Sequence, residues 1–173
     1  MNILKAILAK SKNNKNLLLK DINYTYGEFY SDSHFLYKEL NKFSGKKKRV
    51  IAICTNYSKH YLNLIFAAYR ANFLIVLINP VSAEKEKLFI IQNSGANFFL
   101  SEKKMFNKSF NKIGNFYLFS FNNKNKNIQK KDRFLIYTSG TTSKPKGVIL
   151  TDDSISSNIK AISLDLKLKN NDT

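Results

Sequence analysis

One short stretch, residues 136–151, concentrates the side chains of this chain that could do chemistry. It reads IYTSGTTSKPKGVILT, with apolar, strand-like residues on both sides of a polar loop. Gly140 permits close backbone approach or a positive φ, and Lys144 and Lys146 supply charge. Backbone N–H groups, hydroxyls and an ammonium are the donors that a polyphosphate requires. The hydroxyls belong to Thr138, Ser139, Thr141, Thr142 and Ser143. Composition alone fits a phosphate-binding loop and a polar surface turn equally well.

The Walker P-loop does not describe this stretch. That motif is Gly-x-x-x-x-Gly-Lys-Ser/Thr and opens directly into a helix. Here the order is Lys146-Gly147, and the residues that follow, VILT, favour a strand. Because no helix N-terminus is predicted at the loop, the loop would have to bind phosphate through its own donors.

The stretch closely resembles the signature of the adenylate-forming superfamily, which includes acyl-CoA synthetases, aryl-CoA ligases, luciferases and the adenylation domains of peptide synthetases. The usual form of the signature is Tyr-Thr-Ser-Gly-Thr-Thr-Gly-x-Pro-Lys-Gly-Val. The segments YTYGEFY (24–30) and RVIAIC…LINP (49–80) are also similar to the superfamily, as is the spacing from Pro80 to Ser94-Gly95-Ala96. The matching signature positions are Tyr137, Thr138, Ser139, Gly140, Thr141, Thr142, Pro145, Lys146, Gly147 and Val148.

The resemblance implies a two-step ligase. A carboxylate attacks the α-phosphate of ATP to give an acyl-adenylate and pyrophosphate, and a thiol then takes the acyl group. ATP with Mg²⁺, a small-molecule carboxylic acid, and coenzyme A or a carrier-protein thiol are therefore the expected ligands. The loop is expected to hold the β- and γ-phosphates beside Mg²⁺. No catalytic residue and no metal ligand is assigned within the chain. The implied phosphate-binding residues are Thr138, Ser139, Gly140, Thr141, Thr142, Ser143, Lys146 and Gly147.

The chain departs from the superfamily pattern at two positions and at its end. Ser143 replaces the usual glycine, at a cost of roughly 1–2 kcal/mol if the position needs positive φ. Asp152 stands where many members carry histidine, and it is expected to cap a helix instead of facing the phosphates. The motifs for adenine, ribose and the catalytic lysine would follow this segment. Residues 1–173 are therefore expected to be the first part of the large N-terminal domain, with the C-terminal domain absent, as a fragment, a truncated reading frame or a split gene product. They are expected to be inactive alone, with a missing C-terminal segment or a separate chain completing the enzyme.

Strands alternate with amphipathic helices along the chain, which predicts an α/β fold with a mostly parallel sheet covered by helices. Ser82 is predicted to cap the third helix, Gly95 to end it, and Asp152 or Asp153 to cap the last helix. Residues 121–132 are predicted to be a polar linker. The predicted strands are 16–26 (two short strands around a turn), 49–54, 72–79, 97–101, 115–119, 133–139 and 147–151, and the predicted helices are 27–43, 58–71, 82–95 and 152–166.

The net charge of +17 suggests nucleic-acid binding, but the charge distribution argues against it. Lysines outnumber arginines 26 to 3 and are spread among 22 asparagines, as AT-rich coding bias would produce. Cys54 ends an apolar run and is predicted to be a buried structural thiol. His34 and His60 lack ligand-spaced partners and are predicted to have surface or helix-packing roles. No membrane span and a cytoplasmic location are expected. The alternatives to the ligase are a non-catalytic remnant or interaction module, and a basic nucleic-acid-binding domain.

Overall fold

A computed structural model of the chain describes residues 3–56, 58–123, 128–138 and 145–167. No helix in these ranges combines the length and apolar character that a bilayer span requires. Their helices are α1 (Ile3–Ser11), α2 (Tyr26–Asn41), α3 (Lys59–Arg70), α4 (Glu84–Ser94) and α5 (Asp152–Asp165). Their strands are β1 (Leu17–Leu19), β2 (Tyr24–Thr25), β3 (Val50–Cys54), β4 (Leu74–Leu77), β5 (Phe98–Ser101), β6 (Phe110–Ile113), β7 (Phe116–Ser120), β8 (Asp132–Thr138) and β9 (Lys146–Thr151).

The main sheet has the strand order β6-β7-β5-β3-β4-β8-β9. Its four central strands, β5, β3, β4 and β8, are parallel. The antiparallel hairpin of β6 and β7 extends the sheet beside β5, and antiparallel β9 extends it beside β8. β1 and β2 form a separate antiparallel pair. The predicted α/β fold with a helix-covered, largely parallel sheet is therefore confirmed, with hairpins making the sheet mixed.

Helices cover both faces of the central strands. Successive residues of β3 point to opposite faces, so Ile51 and Ile53 join one core cluster while Ala52 joins the other. Residues of α2 and α3 complete the first cluster, and Ile90 and Ile91 of α4 complete the second. All five residues of β3 are buried, as expected for a parallel strand covered on both sides.

The two crossover connections leave the sheet in opposite directions. The β3–α3–β4 connection passes over the face covered by α3 and leads to a neighbour of β3. The β4–α4–β5 connection passes over the other face and leads back past β3. The carboxyl ends of β3 and β4 therefore flank a crevice of the kind in which open α/β sheets bind ligands.

Several local predictions are wrong. Ser82 does not cap α4, because Ala83 holds the N-cap position and no side chain caps that helix. Thr151, not Asp152 or Asp153, caps α5, by accepting a hydrogen bond from the Ser154 amide. Asp132 does not belong to a solvated linker, since it begins β8, is only 4% exposed, and accepts a hydrogen bond from the Gln129 amide.

Candidate functional site

The polar loop connects β8 and β9, which form an antiparallel hairpin beside β4. Thr138 lies opposite Lys146, and Tyr137 lies opposite Gly147. Because β8 runs parallel to β4, the loop leaves the sheet at the edge where the parallel strands end. This is the edge at which α/β proteins bind ligands. Of the predicted phosphate-binding residues, Thr138, Lys146 and Gly147 are exposed at the base of the loop. Ser139, Gly140, Thr141, Thr142 and Ser143 lie outside the described residues.

Gly147 has a packing reason to be glycine. A Cβ atom built there would lie 2.8 Å from Leu135 Cδ1 and 3.3 Å from Tyr137 Cζ. Leu135 is buried, so its side chain has little room to withdraw. Because glycine has no Cβ, β9 can lie against these two side chains at the base of the loop.

Tyr137 ties the hairpin to α4. Its hydroxyl donates a 2.7 Å hydrogen bond to Asn93 Oδ1. Burial raises the pKa of Tyr137 to about 12, so the hydroxyl remains a donor through the neutral range. Sequence reasoning missed Asn93, because its role depends on how α4 packs against the sheet and leaves no local pattern.

A cleft of about 330 Å³ opens beside the base of the loop. Thr138 and Pro145 form one wall, and Asn79 and Ser82 from the turn after β4 form another. Glu86 of α4 adds the acidic group among the lining residues. The hairpin and the carboxyl end of β4 thus enclose a space lined by Thr138, one of the predicted phosphate-binding residues.

Asp152 lies at the opposite end of the hairpin from the loop. It accepts 2.7 Å and 3.0 Å hydrogen bonds from Arg133 Nε and the Tyr69 hydroxyl. Thr151 and Lys146 are the two ends of β9, so about 17 Å of strand separates Asp152 from the loop. The carboxylate is therefore an ion-pair partner that fixes the start of α5 to β8, and it is too distant to repel phosphate.

A larger cavity, of about 590 Å³, lies at the amino edge of the sheet, away from the loop. Arg70 lines it and packs over the Tyr37 ring, 4.4 Å from its centroid. His34 accepts a 3.1 Å contact from Arg70 Nη2, and burial together with this cation lowers the pKa of His34. His60 packs edge-on against Phe116. Both histidines therefore have the packing roles that were predicted.

Two further residue predictions concern metal and thiol chemistry. In the part of the chain that the structure describes, no cluster of His, Cys, Asp and Glu side chains could hold a metal ion. Cys54 is a free thiol, 4% exposed, and burial raises its pKa. The predicted burial of this thiol is confirmed.

Comparisons with known proteins agree with the signature. A family model described as AMP-binding enzyme matches residues 6–173. The chain is 28% identical over 141 residues to 2-succinylbenzoate–CoA ligase of Bacillus subtilis, covering 76% of the chain and 29% of that protein. It is 25% identical over 153 residues to zwittermicin A synthase ZmaJ of Bacillus cereus, covering 83% of the chain and 29% of that protein. The chain thus spans about three-tenths of the length of both relatives.

Solved structures of the O-succinylbenzoate coenzyme A synthetase of Bacillus subtilis share the fold. One, bound with the product analogue OSB-NCoA, aligns with a TM-score of 0.74 over 99% of this chain and 37% of its own, at 22% identity. Another, in complex with ATP and magnesium ion, aligns with a TM-score of 0.64 over 84% of this chain and 41% of its own, at 21% identity.

Proposed function

Since the chain belongs to the family of AMP-binding enzymes, we propose that its β8–β9 hairpin holds the β- and γ-phosphates of ATP during activation of a carboxylic acid. In this reaction the carboxylate attacks the α-phosphate, the α–β phosphoanhydride bond breaks, and pyrophosphate leaves. A thiol then attacks the acyl carbon of the acyl-adenylate, the acyl–phosphate bond breaks, and AMP leaves. The proposal places residues 1–173 within the N-terminal domain of a longer acid–thiol ligase.

The observation that carries the proposal is the register of the hairpin. Thr138 and Lys146 lie opposite each other at the carboxyl edge of the parallel strands, so the chain leaves β8 and enters β9 at the ligand-binding edge of the sheet. Phosphoryl chemistry depends on positioning and on stabilising the charge of the leaving group. The Lys146 ammonium would supply that charge, and the loop hydroxyls with the backbone N–H groups would supply directed donors.

In this proposal Mg²⁺ binds to the chain as a complex with the phosphates of ATP. The described residues contain no carboxylate or histidine cluster that would hold it alone, and Mg²⁺ commonly binds through phosphate oxygens, water and one or two carboxylates. One solved structure with this fold contains ATP and magnesium ion, and another contains a coenzyme A product analogue. These ligands support ATP with Mg²⁺ as the activating substrate and coenzyme A, or a carrier-protein thiol, as the acceptor.

Titration of the purified chain with Mg-ATP, followed by backbone amide NMR, tests the assignment. We expect saturable shifts at Thr138, Lys146 and Gly147. Lys146→Met should weaken binding about tenfold, which corresponds to about 1.4 kcal/mol. Lys160→Met removes the same charge from an exposed position on α5 and is the matched control. Equal affinity of the wild type and Lys146→Met would contradict the proposal.

A pyrophosphate-release assay on the same purified chain tests whether it catalyses adenylation alone. Adenylation requires the α-phosphate and the carboxylate to be held in near-attack geometry, and positioning can supply several kcal/mol of the barrier. The hairpin reaches only the outer phosphates in our proposal, so we expect binding without turnover. Pyrophosphate release that depends on added fatty, aryl or short-chain acids would show that the chain is sufficient by itself.

A further inference from the structure

A third cavity lies at the crevice between the oppositely directed crossovers and is separate from the cleft beside the loop. Its volume is about 430 Å³, within the range of small-molecule sites. Thr55 and Asn56 follow β3, Pro80 and Val81 follow β4, and Ser101 ends β5, so all three strands end at its wall. The turn after β4 separates the two spaces, with Asn79 and Ser82 lining the cleft.

Lys87 of α4 is the chemically unusual residue in this cavity. It is only 8% exposed, although lysine is rarely buried without a partner. Its Nζ donates a 2.7 Å hydrogen bond to the Pro80 carbonyl, which uses one of the three ammonium donors. Among the described residues, the ion pairs within 4.0 Å are Lys42–Glu39 and Arg133–Asp152, so no carboxylate neutralises Lys87 there.

The other ionisable groups of the cavity do not supply the missing counter-charge at close range. Glu84 is exposed, and Glu102 is half-buried and accepts a long 3.4 Å contact from Asn56 Nδ2. Lys103 and Lys104 are exposed and add positive charge at the rim. Burial raises the pKa of the Cys54 thiol despite the nearby Lys87 ammonium, so the thiol stays neutral and is no counter-ion.

We propose that this cavity is a second anion site, in which the carboxylate or phosphate group of a small molecule binds the Lys87 ammonium. A buried cation is strongly stabilised by an opposite charge with hydrogen-bonding oxygens. The ligand group would complete the coordination of Nζ that the Pro80 carbonyl begins. The turn after β4 forms a wall of both spaces, with Pro80 and Val81 lining this cavity and Asn79 and Ser82 lining the loop cleft. A ligand in this cavity would therefore contact the same turn that lines the cleft. The proposal does not depend on ATP binding at the hairpin.

The test is a titration of the ¹⁵N-labelled chain with two probes, inorganic phosphate and benzoate. We expect saturable amide shifts at Thr55, Asn56 and Lys103, and the stronger of the two probes identifies the preferred anion. Lys87→Met should weaken this binding at least tenfold. Lys85→Met removes the same charge from an exposed position on the same helix and should leave binding unchanged.

Further variants keep the test decisive if Lys87→Met does not fold. Glu84→Gln removes a negative charge from the rim and should tighten anion binding at least twofold. Lys146→Met should leave the shifts at Thr55 and Asn56 unchanged, which separates this site from the hairpin. Shifts confined to Thr138 and Gly147, equal losses in Lys85→Met and Lys87→Met, or no saturable shifts would each overturn the proposal.

Discussion

Replacement of Gly147 by alanine tests the close approach of β9 to β8. In an ordinary strand this change would stabilise the protein by roughly 0.5–1 kcal/mol, because glycine loses more conformational freedom on folding. Here the new Cβ would lie 2.8 Å from Leu135 Cδ1 and 3.3 Å from Tyr137 Cζ. Neither neighbour moves easily, since Leu135 is buried and the Tyr137 ring is tethered to Asn93.

Overpacking of this kind costs typically 1–3 kcal/mol. After subtraction of the backbone gain, we expect Gly147→Ala to lower the free energy of unfolding by about 1 kcal/mol. In a chain of this length that loss corresponds to a decrease in Tm of about 2–4 °C. Gly45→Ala is the matched control, because its Cβ would approach only the end of the exposed Arg49 side chain, 3.1 Å from Nε.

Urea unfolding followed by circular dichroism measures both variants, and a double-mutant cycle identifies the contact. In a Leu135→Ala background the methyl group has space, so Gly147→Ala should become neutral or stabilising. We expect a coupling energy of at least about 0.5 kcal/mol between the two positions. If Gly147→Ala were as stable as the wild type, or if the two changes were additive, the packing explanation for this glycine would be wrong.

Two other predictions concern the two ends of the β8–β9 hairpin, the end that carries the Arg133–Asp152 pair and the end that carries Tyr137. Arg133→Met removes the 2.7 Å ion pair with Asp152, whose partners are 17% and 24% exposed. We expect a loss of about 1–3 kcal/mol, between the values for exposed and buried pairs. Urea unfolding measures the free energy of unfolding of Arg133→Met and of the exposed control Lys131→Met. Equal losses in the two variants would show that the ion pair contributes nothing to stability. Burial raises the pKa of Tyr137 from its ordinary value near 10 to about 12, so the folded state favours the neutral phenol. Its contribution to stability is present below pH 10 and is lost as the pH rises towards 12. Tyr137→Phe should therefore show a shallower alkaline loss of stability, and an unchanged slope would contradict this assignment.

The sequence predicted those elements whose signals are local. The β-branched run of β3 indicated a buried strand, and Gly95 ends α4 in the left-handed conformation, with φ 69°. β6 was missed because three of its four residues are exposed, so it lacks an apolar pattern. The Gly114-Asn115 pair that joins β6 to β7 was the available hairpin signal, and Gly114 has a φ of 56°.

The candidate site was predictable only as a list of loop residues. The signature identifies Thr138, Lys146 and Gly147 without showing what holds them in place. Asn93 and Lys87 both lie on α4, and each becomes relevant only when that helix packs against the sheet. A lysine in the charged segment EKEK that begins this helix is expected to be solvated, so its burial follows from the tertiary structure alone.

Different interactions hold the two ends of the β8–β9 hairpin. Its base is the end where β8 begins and β9 ends, and its tip is the end from which the loop departs. At the base, Arg133 joins Asp152, and Lys48 donates to the Asp132 carbonyl. Near the tip, the Tyr137–Asn93 hydrogen bond and the close contact at Gly147 fix the residues from which the loop departs. Since about 17 Å of strand separates the two ends, a change at the base should alter the stability of the fold more than the geometry of the loop. A change near the tip shifts the donors themselves, so it should weaken the phosphate binding that we propose, even in variants that retain most of their stability.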